Sequence, residues 1–252
     1  MQAGVQVWTA HPDRLGGAAC AEFMAVLDEG ERDRALRLRP DADRHAFIVA
    51  HAMRRIALGL ALAIDPQDLR FGTGLQGEPV LLGLNRNAPT FSLSRSRGLV
   101  AVAISTEGAV GIDVEAVRDG VDEALLSPYV ALGRGAIRTE TDFYVQWTAL
   151  EAYWKARGLG LSTSHPRIRL APLAEDCWEV LLDDDGSPAG MVAMRLPCSP
   201  SHVLTLACES PMNVRLVELD ALAQAPPVLE DPPCSGREGH CGVAAASDTF
   251  NA

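Results

Sequence analysis

Hydrophobic and polar residues alternate along positions 110–115, which predicts a β-strand with two different faces. The apolar face consists of Val110, Ile112 and Val114. The other face carries Gly111, Asp113 and Glu115, because residues two apart along a strand share a face. The apolar run Leu99–Ser105 precedes this strand across a short turn, so the two segments together predict a β-hairpin.

Asp113 and Glu115 place two negative charges side by side on the polar face of that strand. Like charges this close repel each other unless a cation or water separates them. Carboxylate pairs suit Mg²⁺, which takes one or two carboxylates together with phosphate oxygens. The same pattern also fits the solvated outer face of an ordinary amphipathic strand, and these residues alone leave both interpretations open. Gly111 beside them would let a ligand or another backbone come close.

Apolar residues at three- and four-residue intervals predict three helices: one over about residues 18–38, one that begins at Asp41, and one that begins after Thr139. In the third helix the buried stripe consists of Phe143, Trp147, Leu150 and Trp154. Glu151 lies at the edge of that stripe, and Lys155 follows four residues later. The two could form a surface ion pair, or Glu151 could be a buried carboxylate that needs a cation to compensate its charge.

The remaining short apolar runs predict six further strands. These are Val5–Thr9, Val80–Leu84, Trp178–Leu182, Met191–Leu196, Val203–Cys208 and Val214–Leu219. From about residue 223 the chain becomes rich in Pro and Gly without a repeating apolar pattern, so we expect this tail to be disordered.

Basic residues suggest a second kind of chemistry. Arg44, Arg54 and their neighbours on the second helix could form a solvated face or could converge on a phosphate. Ser94 and Arg95 lie in a segment of small hydroxyls, a basic side chain and a glycine, which suits a phosphate-binding loop but is also common loop composition.

The net charge, the apolar runs and the cysteine spacing argue against several classes of function. The net charge of −11 argues against nonspecific binding to nucleic acid or to an anionic membrane. The first twenty residues lack the apolar core of a signal peptide, and no uninterrupted apolar run is long enough to span a bilayer. The six cysteines are scattered without a CxxC pair, which is typical of reduced thiols, so we expect a cytoplasmic protein.

Four motifs, read together, resemble the 4′-phosphopantetheinyl transferases of the larger, Sfp-like type. They are Phe91–Ser96, Val110–Glu115, Trp147–Lys155 and the Gly77–Pro79 turn, in the order and spacing of that family. The resemblance implies an α+β fold, resembling an α/β sandwich, made of two similar halves related by a pseudo-twofold axis. Each half would be a helix packed on a small, mostly antiparallel sheet. The expected boundaries are residues 1–107 for the first half, 108–222 for the second half with the Mg²⁺ site, and 223–252 for the disordered tail.

The resemblance also implies an activity. The 4′-phosphopantetheine arm of coenzyme A would be transferred to a serine of an apo acyl or peptidyl carrier domain, releasing adenosine 3′,5′-bisphosphate. Partners would be the carrier domain and coenzyme A, without nucleic acid or membrane, and the two-halves-in-one-chain design implies a monomer.

Site residues follow from the same resemblance. Mg²⁺ would be held by Asp113, Glu115 and Glu151, and Glu151 would accept the proton of the incoming serine hydroxyl. Lys155 would sit over the pyrophosphate of coenzyme A. The cofactor-binding residues nearest the 3′-phosphate would be Ser94 and Arg95, with Arg34, Arg44 and Arg54 close by.

Three positions depart from the family pattern. Arg95 replaces a histidine, which keeps a cation, whereas Leu150 and Glu78 replace lysines. Losing two cations near a polyanion motivates an alternative: a non-catalytic relative that binds coenzyme A or a carrier domain without transfer. An unrelated Mg²⁺-dependent phosphohydrolase would explain the carboxylates but not the motif in the third helix.

Overall fold

The computed structural model describes residues 4–39, 41–84, 88–131, 137–209, 213–219 and 243–245. Within these ranges the helices are α1 Gly17–Val26, α2 Glu29–Arg37, α3 Asp41–Leu62 and α4 Glu140–Ala156. The strands are β1 Val5–Ala10, β2 Phe71–Thr73, β3 Pro79–Leu81, β4 Thr90–Ser96, β5 Leu99–Ser105, β6 Val110–Ala116, β7 Ile168–Ala174, β8 Cys177–Leu182, β9 Pro188–Leu196, β10 His202–Cys208, β11 Val214–Leu219 and β12 Val243–Ala245. Helices and strands are mixed, which confirms the α+β class.

Two five-stranded sheets form the centre of the fold. The first has the strand order β12-β11-β1-β5-β4 and the second β6-β10-β9-β8-β7, while β2 and β3 make a separate pair. β11 pairs in parallel with both β1 and β12, and the other pairings described in these two sheets are antiparallel. Consequently β4 and β6 are edge strands of different sheets.

The two sheets pack face to face on a shared apolar core. The first sheet contributes Val5, Val7, Leu99, Ala101 and Ala103, and the second contributes Val110, Ile112, Val114, Leu204 and Leu206. β5 is buried at all seven of its positions, because its other face packs against a helix. The alternation of residues 110–115 therefore does direct the valines and isoleucine into a core.

Helices cover the outer faces of both sheets. α3 packs on the first sheet through residues that include Phe47 and Met53, together with α1 and α2. α4 packs on the second sheet through Phe143, Leu150 and Trp154. The layers therefore run from α1–α3 through the two sheets to α4.

α3 is, by length and composition, apolar enough to cross a membrane, with a mean hydropathy of 1.2 over its most apolar window. No membrane-spanning segment was predicted from the sequence, because Arg54 and Arg55 interrupt the apolar run of this helix. In the structure 61% of that window is buried inside the protein, as in a core helix. Its apolar side chains are covered by the first sheet and by α1.

The predicted β-hairpin is wrong. β5 pairs with β1 and β4, whereas β6 pairs with β10, so the two consecutive strands belong to different sheets. Both strands carry apolar side chains on the same interface, and the chain crosses between the sheets at residues 106–109. Packing face to face buries both strands more completely than pairing edge to edge would.

The first predicted helix is two helices. Asp28 begins α2 with a capping box, in which its side chain accepts a hydrogen bond from the amide of Glu31 and the Glu31 carboxylate accepts one from the amide of Asp28. Such a box satisfies free amides at a helix start, so the chain can break here and turn.

The C-terminal elements extend the first sheet. β11 lies within residues 108–222, the range predicted for the second half, but it pairs with β1 in the first sheet. Of the tail predicted over residues 223–252, only Val243–Ala245 is described, and it forms β12 beside β11. The rest of that tail lies outside the described residues.

Candidate active site

The acidic face of β6 lies against α4. A Cβ atom at Gly111 would overlap the carbonyl oxygen of Ala152 and lie 2.5 Å from the amide nitrogen of Ala156. Glycine is therefore required here for close packing of the strand on the helix backbone. This packing brings Glu151 and Lys155 of α4 towards the acids of β6.

Asp113 is the buried centre of the cluster, with 4% of its surface exposed. Its Oδ1 accepts hydrogen bonds from Lys155 Nζ at 2.6 Å and from Ser94 Oγ at 2.7 Å. Its Oδ2 is buried and has no hydrogen-bond partner among the described residues. Burial raises the pKa of Asp113, and the positive charge of Lys155 opposes that shift.

Glu115 and Glu151 complete the group of acids. Ser96 Oγ donates to Glu115 Oε2 at 2.9 Å, and no described residue donates a hydrogen bond to Glu151. Burial raises the pKa of both carboxyls, and the charge of Asp113 raises it further in each. Because Glu151 is affected by the charges of Asp113 and Glu115, and Glu115 by the charge of Asp113, the cluster contains electrostatic repulsion that a cation would relieve.

The residues fit a hard divalent cation in their chemistry. Among the described residues, no three His, Cys, Asp or Glu side chains already converge as a metal-binding cluster. The free Oδ2 of Asp113 is nevertheless a buried anionic oxygen that lacks the partner such atoms normally have. In this structure the ammonium of Lys155 supplies the only charge partner that Asp113 has within hydrogen-bond distance among the described residues.

Serines of β4 connect this cluster to the first sheet. The hydroxyls of Ser92, Ser94 and Ser96 accept hydrogen bonds from the amides of β6 at 3.1, 3.3 and 3.0 Å, respectively. Sequence reasoning singled out Ser94 for a phosphate and did not assign a role to Ser92 or Ser96. The signal for all three was their two-residue spacing, which places them on one face of a strand.

Arg95 points to the other face of β4, away from the acids. Its guanidinium carbon lies 5.5 Å from the centre of the Phe47 ring, and that of Arg34 lies 5.4 Å from the same centre. Burial lowers the pKa of Arg95, and the charge of Arg34 lowers it further. Neither arginine forms an ion pair or hydrogen bond with another described residue. The negative charge of Asp43 acts on Arg95 and opposes the lowering of its pKa. Ser94 and Arg95, predicted to share a ligand, thus lie on opposite faces.

Arg54 lies in an internal ion network. Its Nη2 donates to Glu31 Oε1 at 2.5 Å, and its guanidinium stacks 3.8 Å from the centre of the Phe71 ring. The neighbouring Arg55 is fully buried and donates to Glu31 Oε2 at 2.6 Å. Burial lowers the pKa of Arg54 to about 10, opposed by the charge of Glu31.

Arg44 lies at the start of α3, where it forms an ion pair with Asp41. The structure therefore groups Arg34 with Arg95 and leaves Arg44 and Arg54 with partners of their own.

Leu150 and Glu78, which replace lysines of the family pattern, each have a local role in the structure. Leu150 is fully buried in the core between α4 and the second sheet, so its side chain is directed away from solvent. The Glu78 carboxylate accepts a hydrogen bond from the amide of Gln76 and so stabilises its own turn.

Comparison with known proteins finds relatives of one enzyme class. No protein-family model matches the chain. The chain is 31% identical over 173 residues to a Synechocystis protein named as a 4′-phosphopantetheinyl transferase, covering 62% of this chain and just under two thirds of that relative, 66%. It is 25% identical over 232 residues to a phosphopantetheinyl transferase of Thraustochytrium, covering 82% of this chain and 79% of the relative. It is 29% identical over 192 residues to the 4′-phosphopantetheinyl transferase HetI of Nostoc, covering 68% and 81%.

These alignments span most of the chain, and the relatives share one enzyme class. The chain is related to the 4′-phosphopantetheinyl transferase superfamily of enzymes.

Proposed function

We propose that this protein transfers the 4′-phosphopantetheine arm of coenzyme A to a serine of an apo carrier protein and releases adenosine 3′,5′-bisphosphate. The names of the relatives support the transfer and both partners. The proposal includes the larger, Sfp-like type, with Mg²⁺ as the cofactor.

One observation carries the Mg²⁺ part of the proposal. Asp113 is buried, and its Oδ2 has no hydrogen-bond partner among the described residues. Two further carboxyls lie beside it, and burial and the charge of Asp113 raise their pKa values. Burying a carboxylate oxygen without a partner is costly unless a ligand compensates it. Asp113, Glu115 and Glu151 would hold the ion, which when bound neutralises charge on a pyrophosphate.

Glu151 and Lys155 would accept the serine proton and bind the pyrophosphate, respectively. Glu151 accepts no hydrogen bond from a described residue and has a raised pKa, which suits a general base for the serine hydroxyl proton. Lys155 reaches the same carboxylates from α4 and would pair its ammonium with the pyrophosphate.

Arg34 and Arg95 would bind the 3′-phosphate of coenzyme A. Their guanidiniums converge beside Phe47 and form no ion pair with a described acid, and the charge of Asp43 offsets only part of their positive charge. A phosphate dianion would stabilise this arrangement. Arg44 and Arg54 would support α3 instead, because each already pairs with a carboxylate.

The fold supports the finer architecture that we propose: two halves related by a pseudo-twofold axis. Each five-stranded sheet carries a long helix on its outer face, α3 on the first and α4 on the second. The passage between the halves would lie at residues 106–109, near the predicted boundary at residue 107.

The non-catalytic alternative is not favoured by the residues that motivated it. A lysine at the position of Leu150 would be directed into the core, and Glu78 serves its own turn. Neither substitution removes a charge partner from Asp113, Glu115 or Glu151.

A carrier assay tests the proposed function. The protein is incubated with Mg²⁺, coenzyme A and several apo carrier domains, and each carrier is weighed by mass spectrometry. We expect the mass of one phosphopantetheine on at least one carrier, and no transfer by Asp113→Ala or Glu151→Gln. Glu175→Gln, an exposed carboxyl in the β7–β8 turn, is the matched control and should transfer normally. Coenzyme A binding without transfer to any carrier would support the non-catalytic alternative.

A further inference from the structure

β4 and β6 meet along their edges without forming a sheet. β4 ends the first sheet and β6 ends the second, so both strands have a row of backbone groups that none of the described strands pairs. Along β6, the amides of Ile112, Val114 and Ala116 donate to serine hydroxyls of β4. Side chains therefore join the two sheets here.

Two of the three hydroxyls make a second bond. Ser94 Oγ donates to Asp113 at 2.7 Å, and Ser96 Oγ donates to Glu115 at 2.9 Å. At the corresponding place beside Ser92, β6 carries Gly111, which offers no carboxylate. A hydroxyl can accept from an amide and donate to a carboxylate at the same time, which fixes its own rotamer and that of the acid.

Glu115 depends on its serine more than Asp113 does. Asp113 is buried and is also held by Lys155, whereas Glu115 is half-buried. Ser96 is the hydrogen-bond donor that the described residues provide to the Glu115 carboxylate. A longer, more exposed side chain with one fixed partner gains the most orientation from that partner.

We propose that Ser96 is a positioning residue that orients Glu115 for metal binding, whereas Ser92 only joins the strand edges. The inference rests on the proposed function, in which Glu115 is a metal ligand. Hydrogen bonds to a ligating carboxylate commonly change metal affinity by about 10- to 100-fold. The same hydroxyl couples the metal ligands of the second sheet to the first sheet, whose β4 also carries Arg95.

The chain supplies a matched pair of variants. Ser96→Ala and Ser92→Ala each remove one acceptor from an edge amide, at 3.0 and 3.1 Å. Ser96→Ala alone also removes a donor from a carboxylate. Ser96→Thr keeps the hydroxyl and tests for rescue.

The experiment measures Mn²⁺ binding to the full chain directly, by electron paramagnetic resonance, and measures thermal unfolding without metal. We expect Ser96→Ala and Ser92→Ala to lower the unfolding midpoint by similar amounts. We expect Mn²⁺ affinity to fall about tenfold in Ser96→Ala, to stay within about twofold of the wild type in Ser92→Ala, and to recover in Ser96→Thr.

The outcomes separate this inference from the proposed function. Equal Mn²⁺ affinities of the two alanine variants, with normal binding by the wild type, would overturn the role of Ser96 alone. A wild-type protein that does not bind Mn²⁺ would overturn both this inference and the metal site of the proposed function. Transfer to a carrier in the absence of any divalent cation would refute the metal site independently.

Discussion

Replacing Gly111 with alanine should force β6 and α4 apart. The added Cβ would overlap the carbonyl oxygen of Ala152 and lie 2.5 Å from the amide nitrogen of Ala156. Both neighbours are backbone atoms near the C-terminal end of α4, so no side chain can rotate to make room. The strand and the helix must separate by about 1.5 Å to restore ordinary contacts.

The magnitude follows from two effects of that separation. Forcing one extra methyl into a packed interface costs about 1–3 kcal/mol, which corresponds to about 2–4 °C in the unfolding midpoint for each kcal/mol in a protein of this size. The same shift moves Asp113 and Glu115 on β6 away from Glu151 and Lys155 on α4. A misplacement of about 1 Å between catalytic groups can reduce the rate about 100-fold.

The assay combines thermal unfolding with the rate of phosphopantetheine transfer. Gly17→Ala is the matched control, because a Cβ at Gly17, at the exposed start of α1, meets no atom within 4 Å. That control should keep its activity and lose no stability. A Gly111→Ala protein that unfolds at the wild-type temperature and transfers at the wild-type rate would refute the close packing of β6 on α4.

Two further predictions concern charges on α2 and β4. Burial alone would raise the pKa of Glu31, but hydrogen bonds from His51 and Arg55 and the nearby arginine charges lower it to about 2. The ionised carboxylate therefore contributes on the order of 3 kcal/mol that is present above the ordinary pKa and lost as the pH falls towards 2. Glu31→Gln should be less stable in urea at pH 7, with a smaller deficit at pH 3, and equal deficits would contradict this linkage. Arg34→Ala and Arg95→Ala should each raise KM for coenzyme A about 10-fold or more. KM for coenzyme A lacking its 3′-phosphate should change little, and equal effects on both substrates would place the phosphate elsewhere.

The sequence could predict the faces of β6 but not its partner strand. Alternation is a local property, so residues 110–115 indicate which side chains enter a core wherever the strand lies. The pairing partner depends on contacts distant in the chain. One local signal did argue against a hairpin: β5 is apolar at nearly every position, as expected for a strand covered on both faces.

Some residues of the candidate site could likewise be predicted from the sequence, and others could not. The spacing of Glu151 and Lys155 placed both residues on one helix face, and the resemblance to the family gave them their predicted roles. The structure brings both towards the acids of β6. The role of Arg54 could not be predicted from the sequence, because its partner Glu31 lies 23 residues earlier on another helix. Whether an arginine faces a ligand or an internal carboxylate is decided by how the helices pack.

The parallel pairing of β11 with β1 prevents the two sheets from being exchanged as independent modules. β11 follows every strand of the second sheet in the chain, yet it covers one edge of β1 in the first. A fragment that stops after β5 would leave the amides and carbonyls along that edge open to pairing with other chains. Chimeras between relatives in this superfamily should therefore carry β11 together with β1, although more than 200 residues separate the two strands in the chain.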